Sequence, residues 1–223
     1  MTGEEILKAL YDETLVGNKH RVLELTDEAL AVGLTPESIL FDALIPSLEE
    51  VGARFERGDF FVPEMLIAGK AMSGALDVLR PLLAETGVET VGTFLMGTVK
   101  GDVHDIGKNL VNIMLEGAGF HVIDLGVQVP PEKFVAAIEE HKPDVVGFSA
   151  FLTTTMPMFK ANINALVKAG LRDQVIVMVG GAPVTQEYAD AVGADGYASD
   201  ASTAVRRAKE LIARKRAAAV ATV

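Results

Sequence analysis

No cysteine and no tryptophan occur in the 223 residues, and aromatic side chains make up only 6% of them. Without thiols there is no disulfide, no zinc–cysteine site, no iron–sulfur cluster and no cysteine nucleophile. No stretch of about eighteen consecutive apolar residues occurs, so no transmembrane helix is expected. The opening MTGEEILKALYDE is acidic and amphipathic, unlike a signal peptide with its basic start and apolar middle. Positive charge is short as well: 20 Lys and Arg face 31 Asp and Glu, a formal net charge of −11. A nucleic-acid binder needs a basic face for phosphates. The expectation is a cytoplasmic protein with neither membrane nor nucleic acid as a partner. What is present is ordinary: 49% hydrophobic and 23% charged residues, enough to bury a core, in a chain long enough for two domains.

The hydrophobic period changes along the chain. Through residues 1–88, apolar residues recur at helical steps: Leu40, Leu44, Leu48, Val51 and Phe55, then Met65, Leu66, Met72, Ala75, Leu76 and Leu79. Thr35 before Pro36 reads as an N-cap followed by proline at the first helical position. Gly33 reads as the end of one helix and Pro63 as the start of the last. Four helices in a small bundle are expected. From residue 89 short apolar, often β-branched runs appear: 90–97, 121–126, 144–150, 174–181 and 195–199. Helical stretches lie between and after them at 105–118, 131–141, 155–169, 184–192 and 200–214. Five strands alternating with five helices predict a doubly wound parallel sheet covered on both faces. The boundary falls in a short linker, 84–90, dividing a helical domain 1–88 from an α/β domain 89–223. The C-terminal RKRAAAVATV reads as a frayed helix end, and its basic cluster as cations near the negative end of the helix dipole.

In an open parallel sheet, ligands bind beyond the carboxyl ends of the strands. After the first strand comes MGTVKGDVHDIGKNLV, residues 96–111. It sets Asp102, His104 and Asp105 between Gly101 and Gly107. After the third strand comes SAFLTTT, with Ser149, Thr153, Thr154 and Thr155. After the fourth come Gly180 and Gly181, and after the fifth Ser199 and Asp200. Several chemistries are excluded by what is missing. The first turn has no G-x-G-x-x-G for a dinucleotide and no G-x-x-x-x-G-K-[ST] for a nucleotide phosphate. A phosphoreceiver would end its third and fifth strands in aspartate and lysine, where Ser149 and Ala198 stand. No G-x-S-x-G nucleophile is present. A histidine held by a neighbouring carboxylate can be purely structural. His104, however, falls at the ligand edge, and Asp102 two residues earlier can hold one ring nitrogen and leave the other for a metal. Asp105 is placed to cap the following helix or to sit on its first turn, where a carboxylate is favoured. His20, His121 and His141 lie away from that edge and read as structural or solvated.

GDVHDIGKNLV, SAFLTTTM and GGAPVT, in that order, resemble the cobalamin-binding module of the methionine-synthase type. With the helical half in front, residues 1–215 resemble the small corrinoid proteins of methyltransferase systems. The resemblance implies a helical cap followed by a flavodoxin-like (Rossmann-type) five-stranded sheet, and cobalamin (methylcobalamin when charged) as cofactor. It makes His104 the lower axial cobalt ligand, Asp102 its hydrogen-bond partner and Thr155 the hydroxyl that continues a proton relay. Met96, Gly97, Val99, Gly101, Asp105, Ile106 and Gly107 are implied cofactor contacts on the first loop. Ser149, Leu152 and Thr153 are implied on the second. Gly180 and Gly181 would line the path of the nucleotide tail. Family members carry leucine where this chain has Phe151. Phe61, before a V-P pair in the cap, matches a residue that shields the upper cobalt face, while its neighbour Phe60 reads as core. The implied function is methyl carriage between a donor-specific methyltransferase and an acceptor methyltransferase, with a reductive activase as a further partner. The cap would move aside at a hinge near Gly87. The rival readings are a cobalamin-sensing module, which would carry an output domain, and a mutase subunit, which would carry arginine where Ile106 stands.

Overall fold

The computed structural model describes residues 1–86 and 90–220, apart from the side chains of 84–86, 219 and 220. The expected hinge at Gly87 and the last three residues lie outside the described residues. The chain divides into two compact units: Met1–Glu89 with Glu116–Gly119, and Thr90–Leu115 with Phe120–Val223.

The first unit is helical: α1 (Gly3–Leu15), α2 (Lys19–Ala31), α3 (Pro36–Ile39), a π-helical segment (Leu40–Leu44), α4 (Ile45–Glu56) and α5 (Val62–Thr86). Local sequence sets the starts. Thr2 and Glu5 form a reciprocal capping box on α1. Asn18 caps α2 through the Arg21 N–H, and Thr35 caps α3 through the Ser38 N–H, with Pro36 in the first turn. The stretch 36–56 is one helical track, interrupted where the Ile45 N–H reaches back to the Leu40 carbonyl. Pro46 explains the interruption. It has no N–H for the Asp42 carbonyl and its ring crowds that carbonyl, so the turn widens. The apolar faces expected from the period are buried: Leu40, Leu44, Leu48 and Val51 on one track, Met65, Met72, Ala75, Leu76 and Leu79 on α5. Phe60 departs from the expectation of a core residue. It is half-buried, with the Arg54 guanidinium 5.2 Å above its ring, a cation–π contact that suits a boundary position.

The second unit contains β1 (Thr93–Thr98), α6 (Ile106–Gly117), β2 (His121–Asp124), α7 (Pro131–His141), β3 (Val145–Ser149), α8 (Pro157–Lys168), β4 (Ile176–Gly180), α9 (Gln186–Val192), β5 (Gly196–Ala198) and α10 (Ala201–Val220). The last turn of α6 groups with the helical unit. The strands are parallel in the order β2-β1-β3-β4-β5. Side chains alternate across this sheet. Leu95, Val146, Phe148, Val177 and Val179 pack with Phe134, Phe159, Ile163, Leu166 and Ala189 of α7, α8 and α9. The opposite face carries Phe94, edge-on to Phe120 with ring centroids 6.3 Å apart, and receives α10 against β4 and β5. One boundary differs from the sequence reading: α10 is helical through Val220 rather than fraying after 214. Its alanine-rich end favours helix, and Arg216 donates back to the Val91 carbonyl at 3.2 Å. The basic cluster is thus partly used to hold α10 on its own unit.

This strand order decides where a ligand can sit. The chain leaves β1 towards β2 on one side, and β3 lies on the other. The crossovers after β1 and β3 therefore run in opposite directions, and the carboxyl ends of these two strands are the switch point at which open sheets hold a ligand in a crevice.

Candidate functional site

The loop after β1 crosses that crevice. Gly101 takes a φ of +86°, a conformation a side chain disfavours, and the Asp102 N–H bonds back to the Val99 carbonyl at 3.1 Å. This turn carries the Asp102 side chain inward, where it has no exposed surface. Five donors meet it. Oδ1 accepts from the His104 N–H at 3.0 Å and pairs with His104 Nδ1 at 2.7 Å. Oδ2 accepts from the N–H groups of Phe151 and Leu152 at 2.8 and 3.2 Å, and from the Thr155 hydroxyl at 2.7 Å. Burial pushes the carboxyl's pKa up. The hydrogen bonds of the His104 N–H, the Thr155 hydroxyl, the His104 ring and the Phe151 N–H outweigh it and hold the group well below the usual carboxylate range. An ionised carboxylate only accepts. The proton between Asp102 and the imidazole therefore sits on Nδ1, and Nε2 of a neutral His104 keeps its lone pair.

His104 is 44% exposed at its side chain, and among the described residues its Nε2 has no hydrogen-bond partner. Its ring stacks on Phe151, centroids 4.5 Å apart and planes 26° from parallel. Around it the surface is apolar: Val103, Ile106, Val127, Phe151 and Leu152 are all exposed. The crevice thus joins Asp102, His104 and Thr155 in one hydrogen-bonded chain.

The other expected residues divide. Gly107 has open space where a Cβ would stand, and Gly101 has only Thr155 Cγ2 at 3.6 Å. At Gly181, with φ +132°, a Cβ would fall 1.8 Å from the Ala150 carbonyl oxygen, and at Gly97 2.8 Å from Phe134. These two glycines are required by the chain's own packing. Gly180 would meet only the Ala198 carbonyl oxygen, at 3.3 Å. Met96 and Val99 are buried, so their side chains do not form the exposed lip. Asp105 precedes α6, and its carbonyl accepts from the Asn109 N–H at 2.7 Å. Ser149 ends β3 beside Thr98 and Gly180, and Thr153 is exposed in the following turn. Phe61, in the other unit, is 65% exposed, its N–H bonded to Glu64 at 3.0 Å.

Several supporting residues escaped the sequence reading. The buried Thr98 hydroxyl donates to the His104 carbonyl at 3.0 Å. The Gln128 N–H donates to the Asp102 carbonyl at 3.0 Å, and the Val129 N–H to the Thr98 carbonyl at 2.9 Å. That second loop is anchored by Asp124, whose Oδ1 accepts from the Gly126 N–H at 2.9 Å. Asp124 Oδ2 in turn pairs with the buried Lys108 and accepts from Asn112 at 3.0 Å. A hydroxyl ending an apolar strand was a signal available for Thr98. Nothing in local sequence marks Lys108 as buried.

Among the described residues no three His, Asp or Glu side chains converge to hold a metal ion. One presented imidazole nitrogen on an apolar lip, with open space above Gly107, suits a metal that arrives with a flat ring filling most of its coordination. Fold and site together define a class: a doubly wound α/β protein that presents one carboxylate-held histidine at the ligand edge of its sheet. The comparisons narrow the class. A B12 binding domain model matches residues 92–206, and a second B12 binding domain model matches residues 6–80. The chain belongs to this B12-binding family. It is 44% identical over 214 residues to a dimethylamine corrinoid protein of Methanosarcina barkeri, covering 96% of this chain and 100% of the relative. It is 40% identical to trimethylamine corrinoid protein 1 of Methanosarcina acetivorans, covering 94% and 98%. The crystal structure of the methanol:cobalamin methyltransferase complex of M. barkeri matches with a TM-score of 0.82 at 30% identity, covering 94% of this chain and 80% of that one.

Proposed function

We infer that this chain is a corrinoid methyl carrier of a methylamine-dependent methyltransferase system, working in the cytoplasm. The observation that carries the reading is the carboxylate-held His104, its Nε2 unengaged at the switch point of the sheet. Cobalamin supplies a cobalt centre able to take a methyl group from a donor and give it to an acceptor. The residues of the chain do the rest. His104 Nε2 would hold the cobalt. Asp102 keeps the proton on Nδ1 and fixes the tautomer, and the Thr155 hydroxyl holds Asp102 in place. The exposed apolar side chains of Val103, Ile106, Val127 and Leu152 would give the cofactor an apolar contact and limit water.

The names of the relatives support di- or trimethylamine as the methyl source. One partner is then a methylamine-specific methyltransferase that loads the carrier, a second passes the methyl group to an acceptor such as a thiol or tetrahydrofolate, and a reductive activase returns oxidised cobalt to service. The test is methyl transfer. The chain is loaded with hydroxocobalamin, reduced, and offered mono-, di- or trimethylamine with the cognate methyltransferase of each. Methylation followed by the change in visible absorbance with dimethylamine or trimethylamine is the expected result. Absence of methylation with every amine, by a protein that has retained its cobalamin, contradicts the proposal.

A further inference from the structure

Phe151 is half open to solvent, at 51% of its surface, yet its ring is not loose. It lies over the His104 imidazole with centroids 4.5 Å apart and planes 26° from parallel. The backbone of the same residue donates to Asp102 Oδ2 at 2.8 Å. The other oxygen of that carboxylate holds Nδ1 of the same imidazole at 2.7 Å. One residue thus grips both members of the Asp–His pair, the acid by its N–H and the base by its ring. The two grips do different things. A single hydrogen bond at Nδ1 restrains one distance, but His104 has two side-chain torsions, and coupled turns of both can roll the ring while the bond is kept. With 44% of its side chain exposed, His104 has little packing to stop that roll. A flat ring stacked on the imidazole face opposes it, because rolling the imidazole gives up the stacked contact.

We propose that Phe151 is a positioning residue that sets the plane of the His104 imidazole, and with it the direction in which Nε2 points at a bound cobalt. The proposal rests on the reading that His104 ligates cobalamin. A leucine at this position would keep the backbone bond to Asp102 and an apolar contact, but it has no flat face to define a plane. Phe151→Leu and Phe151→Ala therefore remove the ring while preserving the N–H. Both should fold, since the ring is an exposed one.

Two measurements test it. In the cofactor-free protein, labelled at histidine, the Phe151 ring current shifts the carbon-bound protons of the His104 ring upfield. Both variants are expected to lose that shift, while backbone resonances of β4, α9 and β5 stay in place and report an intact unit. In protein loaded with hydroxocobalamin and reduced to cobalt(II), the wild type is expected to show one sharp set of nitrogen-split electron paramagnetic resonance lines. The variants are expected to show broadened or doubled lines, as the imidazole takes a range of tilts. Histidine resonances that do not move, or variant spectra that overlay the wild type, overturn the proposal. A wild type without nitrogen splitting overturns the ligation reading and the cobalt half of this proposal. The cofactor-free measurement then still decides whether Phe151 sets the ring.

Discussion

Asp102 is buried to the last atom with five donors aimed at its two oxygens, so its substitutions should differ sharply in cost. Thr155→Val removes one donor and leaves Oδ2 with two backbone N–H partners, a loss of about 1 kcal/mol. Asp102→Asn turns an amide donor towards groups that themselves donate, and should cost roughly 2–4 kcal/mol. Urea unfolding of the cofactor-free protein measures both. The acid dependence has a fixed sign. A carboxyl held below its ordinary range in the fold contributes stability that is fully present above about pH 4 and is lost as the pH falls through the depressed folded value. The acid loss of stability should therefore be shallower in Asp102→Asn than in the wild type. The glycines give a second contrast. Gly181→Ala meets the Ala150 carbonyl oxygen at 1.8 Å in a left-handed conformation and should abolish folding of the α/β unit. Gly107→Ala meets nothing and sits in the first turn of α6. It should leave the cofactor-free protein as stable, or stabilise it by up to about 1 kcal/mol, while lowering cobalamin uptake. Unchanged uptake would show that the ligand does not approach there. At this scale the legible part was local. Asp102 and His104 are two residues apart, so their pairing could be read from spacing. Thr155 closes on Asp102 from 53 residues away, and only the resemblance to known sequences joined them.

Among the elements, the pair between Lys108 of α6 and Asp124 of β2 makes an asymmetric prediction. The Lys108 side chain is 1% exposed and that of Asp124 36%. Asp124→Ala strands a buried ammonium, with Asn109 as its remaining partner, and should cost about 3 kcal/mol. Lys108→Met leaves a carboxylate that still accepts from Asn112 and the Gly126 N–H and reaches water, so its loss should be nearer 1 kcal/mol. Equal losses would show that the buried charge is not what the pair stabilises. This network holds the loop after β2, which in turn bonds to the loop bearing Asp102 and His104, but it was invisible in sequence. Hydrophobic period locates a helix face, whereas a lysine buried by a neighbouring strand reads like any surface lysine. The strands and helices themselves were legible because each run is short, apolar and bounded by turn residues, and their bounds fall within a few residues of the structure. The π-helical turn was not, since Pro46 could equally have started a new helix. The end of α10 was read as frayed after 214, whereas alanine propensity and the Arg216 bond to Val91 act the other way and carry the helix to Val220.

For the whole molecule, composition excluded more than it identified. The lack of cysteine removed thiolate metal sites, and the described residues hold no ready-made cluster for a bare ion. The protein should accordingly take up no stoichiometric cobalt(II) from cobalt chloride in equilibrium dialysis, yet retain hydroxocobalamin through desalting. Uptake of the free ion would point to a protein-built metal site instead. Separate B12 binding domain models match the two units, and the proposed function has the α/β unit hold the cobalt through His104. That ligation is the centre of the account. The measurement that tests it most directly is the electron paramagnetic resonance spectrum of the cobalt(II) form, recorded with natural and with 15N-labelled histidine beside His104→Ala. Axial ligation by His104 predicts a nitrogen splitting that changes from three lines to two on labelling and disappears in the variant. A splitting that ignores the label, or that survives loss of His104, would contradict it.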